Sequence, residues 1–462
     1  MSTAGISFGG LASGLDTQAI ISALLAVERR PILALEKTKK SLQDQKKLFG
    51  DLGDLLDKIE SAAKDLKTTS SFLQMKATSS NEEIVTATAS STATPGSYTV
   101  SVEALASGQI NKAGAASATD PIANSTSPVT LQLDVGGNTF FIDADNNLNA
   151  IAAAINAEDD SSDTGVRAEV IDTGANNPNP NERYQLVIRS EEPGTDNAFT
   201  LTADAGGTGF TNLVSTLNTN QTNATDAHLI VNGVDVWRSD NTVSDVFGGI
   251  TLELQSASPG TDVTVTVSTD GEETSKKVKE LVDAYNELID FFGEQNKVDE
   301  EGNASSPLFG DTTLRSIRTN LRSIVGNAVP TTGNQAYELL SQIGISSDTD
   351  GKLTFNQSEF EEALADDEAA VTALFTDATN GIAIRLESQI DLYTDSVDGL
   401  LKTRSDGFDR RIKQTSNRID DAERRLEQYE QQLTTKYANL EQLLSRLQSQ
   451  GSSVGSINQA FG

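Results

Sequence analysis

At 462 residues the chain is long enough for roughly three domains, yet 37 % hydrophobic residues and a single Trp are lean for a compact enzyme of this size. A formal charge of −32 and a pI near 4.3 exclude nucleic acid and an anionic membrane surface as partners, because both are bound by an excess of Lys and Arg. The absence of cysteine removes disulfides, thiolate metal sites and cysteine nucleophiles together.

The charge is unevenly spread. Ser80 to Asp270 holds 25 Asp and Glu against 5 Lys and Arg, while the stretch before it is nearly balanced. The opening MSTAGISFGGLASGLDTQAII has no basic region ahead of an apolar core and so does not read as a secretory signal. No apolar run reaches the length that spans a bilayer, so no membrane insertion is expected.

Met1 to Gly14, rich in Gly and Ser, is expected to be extended or disordered when free. Asp16 suits an N-cap for a helix with Ile20, Ile21, Leu24, Leu25 and Val27 on one face. Pro31 should kink or end that helix, since its ring restricts Arg30. Beyond it, Leu35, Leu42, Phe49, Leu56 and Ala63 recur every seven residues.

The middle changes period. From Ile84 the pattern alternates, as in SYTVSVEAL, and strand-like runs follow at Val129–Val135, Thr139–Ile142, Val166–Ile171, Tyr184–Arg189 and Phe199–Ala203. Further runs lie at Leu229–Val231, Val234–Trp237, Ile250–Leu254 and Val263–Ser268. Val129–Asn156 and Ala227–Leu254 each read as strand, Gly-containing turn and strand, which suggests two copies of one small module. Asn232-Gly233 is the strongest hairpin signal, because a type I′ turn needs positive φ at both central positions.

Helical periodicity returns after Gly271, over Lys276–Phe292, Thr312–Val325, Ser358–Leu374 and Ala378–Leu401, with the turn DTDGKLTF among them. The last fifth carries Ile412, Ile419, Leu426, Leu433, Leu440 and Leu447, one apolar residue every seven. Such a seam demands a partner. The second row, Ala422, Tyr429, Leu443 and Leu444, is patchy, so a bundle or shared sheath is expected rather than a self-contained zipper. The simplest first partner is the N-terminal seam, antiparallel.

Catalytic chemistry is poorly supplied. His228 is the sole histidine and starts a strand, so neither a triad nor a zinc site can be built around it without help. Ser346–Gln357 imitates a calcium loop but has Ser first and Gln twelfth, where a bidentate Glu is required. An Asp-Gly turn between two short strands is favoured. Trp237 is expected in a core. No catalytic, cofactor-binding or metal residue emerges, and the chain does not read as an enzyme.

Several blocks then carry a resemblance: GISFGGLASGLDTQAIISALLAVERRPI, ATPGSYTVSVEALA, NNLNAIAAAINA, LIVNGVDVWRSDNTVSDVFGGITLEL, SPLFGDTTLRSIRTNLRSIV and GISSDTDGKLTFN. Together, in order along the whole chain, they resemble the bacterial flagellar filament cap family, also called hook-associated protein 2. The resemblance implies an α+β multidomain fold with terminal coiled-coil helices, a helical leg domain and two inserted β-rich head domains. It implies a terminal segment at 1–40, leg at 41–80 and 273–403, head domain 1 at 81–128 and 222–272, head domain 2 at 129–221, and a coiled-coil segment at 404–462.

It further implies export through the flagellar type III apparatus and a homo-oligomeric ring of about five or six subunits at the filament tip. There the cap guides flagellin polymerisation and prevents loss of monomers. Hook–filament junction proteins, an export chaperone and host mucin or glycans are further partners it suggests. The assembly interface is expected along both seams, at Ile20, Ile21, Leu24, Leu25, Leu35, Leu42, Phe49 and Leu56, and at Ile412, Ile419, Leu426, Leu433, Leu440 and Leu447. The alternatives are a tip adhesin or another axial component, such as flagellin or a junction protein.

Overall fold

The computed structural model describes residues 16–330 and 336–460, with side chains through 452. They fall into two compact units, one built from both chain ends and one, Leu73–Glu273, inserted between them. The expectation for Met1–Gly14 lies outside the described residues.

The first unit opens with α1 (Thr17–Lys64), a single 48-residue helix. Asp16 caps it, its Oδ1 accepting the Ala19 N–H at 2.9 Å, which satisfies one of the otherwise orphaned first-turn donors. Pro31 does not end the helix. A proline inside a helix costs about 3 kcal/mol through one lost hydrogen bond and a ring clash, and here the buried row Ile32, Leu42, Phe49, Leu52, Leu56 and Ile59 outweighs it. The boundary expected at 40/41 therefore falls inside one helix. A single turn, α2 (Thr69–Phe72), follows, and Phe72 stacks on Phe375 with ring centroids 5.0 Å apart.

The inserted unit begins with β1 (Met75–Ser79), β2 (Val85–Ala89), β3 (Gly96–Ala104) and β4 (Ile110–Ala115). Next come β5 (Val129–Val135), β6 (Asn138–Ala144), α3 (Leu148–Ser162), β7 (Val166–Asp172), β8 (Tyr184–Ser190) and β9 (Phe199–Ala205). After α4 (Gly207–Thr219) and the short β10 (Gln221–Thr222) the chain returns through β11 (Ala227–Val231), β12 (Val234–Arg238), β13 (Thr242–Phe247), β14 (Ile250–Leu254) and β15 (Val263–Thr269).

Two cores divide this unit. The sheet β1-β15-β3-β11-β12 and the sheet β13-β14-β2 share a core of Val100, Val102, Leu229, Leu252 and Val265. The sheet β10-β4-β8-β7, the sheet β6-β5-β9 and helices α3 and α4 enclose Leu133, Leu148, Ile188 and Phe210. Ala113 of β4 belongs to the second core, because β4 pairs antiparallel with β8 from Ile110↔Arg189 to Ala115↔Tyr184. A boundary at 128/129 thus cuts through that core, and one at 80/81 separates β1 from its partner β15.

Sequence patterning missed β1, β4, β13 and α4 for identifiable reasons. β4 buries Asn111 beside Ala113 and so lacks an apolar alternation. α4 begins with Gly and Thr, poor helix formers, although Phe210, Leu213, Val214 and Leu217 keep helical spacing. The suggested pair of copies is not seen: β5–β6 is followed by a helix, β11–β12 by strand β13. The Ala-rich NAIAAAIN favours helix where the β-branched stretch TVSDVF favours strand. The β11–β12 turn does have φ of 49° at Asn232 and 82° at Gly233, as a type I′ turn requires.

Trp237 is a correction. It is 56 % exposed on the edge strand β12, its ring parallel to that of His228 at 4.5 Å. An edge strand has a neighbour on one side only, and here its outward face has no cover.

The first unit resumes with α5 (Gly271–Gln295), α6 (Thr312–Gly326), β16 (Ile345–Ser347) and β17 (Leu353–Phe355). Asp348 Oδ1 accepts the N–H groups of Gly351 and Lys352 at 2.8 and 2.9 Å, so the DTDG segment is a turn held by its own carboxylate. The helix expected over 358–374 is two, α7 (Gln357–Asp366) and α8 (Glu368–Thr376), because Asp367 ends one and caps the other by accepting the Ala370 N–H. Then come α9 (Ile382–Thr394) and α10 (Leu400–Ala460), 61 residues in one helix that runs through the boundary expected at 403/404.

Candidate assembly interface

The two long helices of the first unit, α1 and α10, pack antiparallel. Phe49 meets Phe408 with ring centroids 5.5 Å apart, Lys46 Nζ donates to Asp409 at 2.6 Å, and the Arg404 guanidinium lies over the Phe49 ring at 5.6 Å. Nearby, Glu28, Pro31 and Ile32 share a cavity of about 350 Å³ with Ala422, Arg425, Leu426 and Tyr429. Positions rise on one helix as they fall on the other. Extended along the same register, the first turn of α1 reaches the neighbourhood of Leu440.

This register sorts the expected interface residues. Leu42, Phe49, Leu56, Ile419 and Leu433 are buried. Ile20, Ile21, Leu25, Leu35, Ile412 and Leu426 are half-buried. Leu24, Leu440 and Leu447 are exposed, the last two at 42 % and 53 %, with Leu443 at 57 % on the same stretch. Beyond the stretch of α10 that faces the first turn of α1, Leu443 and Leu447 stay exposed.

The second heptad row of α10 is Leu401, Phe408, Thr415, Ala422 and Tyr429. Leu401 and Phe408 are buried, and fill the row where α1, α9 and α10 meet. Thr415 turns its hydroxyl back to the Arg411 carbonyl at 2.9 Å, and Ala422 is too short to close the gap beside Pro31, which leaves the cavity there. The row is dense at one end and thins toward the other. Leu401, Phe408, Ile32, Leu52 and Ile59 belong to the seam as firmly as the residues chosen from the sequence. The signal for them was the row three or four positions away from each chosen residue.

Besides the Lys46–Asp409 bridge between the two helices, charge on the seam is arranged in short pairs along single helices. Lys47 bonds Asp51 at 2.8 Å, and that contact raises the lysine pKa. Lys402 bonds Asp406 at 2.6 Å and holds its carboxyl below the usual range. Asp57 is shifted the other way, raised first by burial and then by Glu60 and Asp54. Such exposed pairs are screened by solvent and shape orientation more than stability.

Among the described residues no group of three or more His, Asp or Glu is placed to hold a metal ion, and no helix is long and apolar enough to cross a membrane. His228 bonds Asp235 at 2.8 Å and stacks on Trp237, so it serves the β11–β12 hairpin. Tyr285, buried on α5, has its phenol pushed up to about 12 by burial, a core position and not a proton shuttle.

Paired long helices on a helical body, a β-rich unit inserted between them and an apolar seam whose Leu440, Leu443 and Leu447 stay exposed define a protein built to join a larger assembly. Comparison with known proteins agrees. Models of the flagellar hook-associated protein 2 N-terminus and C-terminus match residues 13–109 and 224–449. Flagellar hook-associated protein 2 of Escherichia coli O157:H7 is 30 % identical over 470 residues, 97 % of either chain. The A-type flagellar hook-associated protein 2 of Pseudomonas aeruginosa is 28 % identical over 469 residues, 96 % of this chain and 95 % of that one. The crystal structure of the D1-D2-D3 domains of the flagellar cap protein FliD from Escherichia coli aligns with a TM-score of 0.61 at 30 % identity, over 78 % of this chain and 99 % of that one. The chain belongs to the flagellar hook-associated protein 2 family, a family of structural proteins and not of enzymes.

Proposed function

We propose that this chain is the cap at the distal tip of the bacterial flagellar filament, where it oligomerises, guides flagellin into place and keeps monomers from diffusing away. The observation that carries the reading is the apolar exposure near the end of α10, where Leu440, Leu443 and Leu447 continue the seam with their side chains open to solvent. Fully burying one leucine stabilises by about 1.5–3 kcal/mol, so covering three half-exposed ones supplies several kcal/mol per subunit. That is enough to order and hold a helix end against neighbours, and too little to compel collapse in the free chain.

In this reading the seam residues from Ile20 to Leu56 and from Ile412 to Leu447 form the assembly interface. The first unit is the leg and the inserted unit is the pair of head domains. Five or six subunits, about what a small closed ring holds, surround the tip. The chain leaves the cell through the flagellar export apparatus with a chaperone's help, and meets the hook–filament junction proteins before filament growth begins.

A second reading, adhesion at the tip to mucin or another glycan, is favoured by one observation, the exposed Trp237 ring on its edge strand. A deletion strain separates the two. Lost filaments with flagellin accumulating in the medium support the cap, whereas normal filaments with lost attachment overturn it.

A further inference from the structure

One groove of the first unit is unlike its other surfaces. Phe49, Gly50 and Gly53 of α1, with Leu401 of α10, form the floor of an open cavity of about 410 Å³. Both glycines lie in mid-helix, where glycine is less favourable than alanine because its backbone loses more freedom on folding. Packing within the chain does not require them. A Cβ at Gly50 would meet nothing within 4 Å, and one at Gly53 would make only ordinary contact, 3.6 Å from Leu401 Cδ1. A groove kept open at this cost inside a 48-residue helix has room for something outside the chain.

Its charges are also unbalanced. The two lysines at its rim are already engaged, Lys46 by Asp409 and Lys402 by Asp406. Asp54 and Asp57, three residues apart on the same helix face, line the groove with no ion pair among the described residues. Burial and its acidic neighbours raise the Asp57 carboxyl, so a cation there would relieve it.

The complementary surface is on another flank of the same unit. Phe309 is 46 % exposed in the loop that leads into α6. The loop is pinned to α1 by Gln45 Nε2, which donates to the Pro307 carbonyl at 2.9 Å. Gln45 and Gly50 are about 140° apart around the helix at 100° per residue, so Phe309 and the groove face different directions. Just beyond Phe309, α6 carries Arg315, Arg318 and Arg322, a basic strip in a chain of charge −32. Arg318 donates to the Asp350 carbonyl at 2.9 Å, and none of the three has an ion pair among the described residues. Arg315 and Arg318 have the same three-residue spacing as Asp54 and Asp57.

We propose that these two patches are the halves of one heterologous contact between copies of this chain: Phe309 of one copy enters the Gly50–Gly53 groove of the next, and Arg315 and Arg318 pair with Asp54 and Asp57. A contact between two different patches repeats from copy to copy and closes into a ring when the rotation permits. This rests on the cap reading and supplies it with a side-by-side joint between legs, set against the α1–α10 seam where Phe49 and Leu401 floor the groove. Aromatic anchor, apolar floor and charged rim are the usual parts of a specific interface.

The chain has no cysteine, so introduced thiols report without background. In the full-length protein, Phe309→Cys with Gly50→Cys should give a disulfide ladder of dimer, trimer and higher species, both in purified assemblies and on flagella of a strain carrying only this copy. Each single variant should give no disulfide-linked species, because the two patches differ. Separately, Arg315→Glu with Arg318→Glu should abolish assembly in sedimentation velocity, and adding Asp54→Arg with Asp57→Arg to the same chain should restore it. The inference is overturned by dimers of the Phe309→Cys single variant, by cross-links to flagellin in place of the ladder, or by a double charge reversal that assembles as wild type. If the ladder is missing while that strain grows normal capped filaments, the joint is wrong and the cap reading stands. If deleting the gene leaves filaments normal, the cap reading itself fails.

Discussion

Phe49→Ala probes the point where α1, α9 and α10 come together. Phe49 is 2 % exposed, with the Phe408 ring on one side and the Arg404 guanidinium on another. Truncating a buried phenylalanine costs about 3–5 kcal/mol, part transfer and part cavity. The open groove beside it lets water reach the vacated space, which favours the lower end, about 3 kcal/mol. The assay is urea unfolding followed at 222 nm, where long helices dominate the signal. Fluorescence of Trp237, the single indole of the chain, follows the inserted unit in the same samples. The helical transition should move to lower urea while the tryptophan transition keeps its midpoint. A helical transition that loses less than about 1 kcal/mol, the ordinary cost of an average substitution, would refute the assignment of Phe49 to the centre of this packing.

Leu426→Asp with Leu433→Asp places two carboxylates on the seam, one of them at a buried position. It should abolish assembly in light scattering and electron microscopy, with the Trp237 signal unchanged. Gly194→Ala should destabilise the inserted unit by about 1–3 kcal/mol, since Gly194 has φ of 91° and an added Cβ would overlap the Ser239 carbonyl oxygen; fluorescence-monitored unfolding measures it. Asp226 bonds the Thr195 backbone N–H at 2.6 Å and the Thr195 hydroxyl at 2.9 Å, and the backbone bond first of all holds its carboxyl below the ordinary range. A depressed carboxylate stabilises above its unfolded pKa, near 3.9, and the contribution is lost as pH falls through the lower folded value. Acid unfolding of the wild type should therefore show a component below about pH 4 that Asp226→Asn lacks.

The helical seams were legible because a repeat of seven is a local property. Leu42, Phe49, Leu56, Ile419 and Leu433 need only their own helix to be placed on one stripe, and a partner follows from the stripe itself. The Asn232-Gly233 hairpin and the Asp348 turn were legible for a similar reason, as φ preference and a short-range carboxylate bond settle them. Family membership was likewise carried by blocks of sequence spread along the whole chain.

Burial depended on what the rest of the chain brings near. Leu440 and Leu447 keep the heptad spacing of Leu433, and only the register of α1, fixed by Phe49 against Phe408, decides that Leu433 is covered and they are not. Trp237 belongs to a strand by composition, and its exposure follows from β12 lying at the edge of its sheet, a fact about strand order that no local pattern contains. β4, with Asn111 buried, became a strand through its pairing with β8, and it moved the division between the two inserted cores to a place that alternation alone could not mark. The sequence by itself determined which stretches are helices with one apolar stripe and which turns close hairpins. Tertiary structure decided where each stripe ends, which strands lie at an edge and which glycines face open space, because each of these depends on residues distant in the chain meeting at one point.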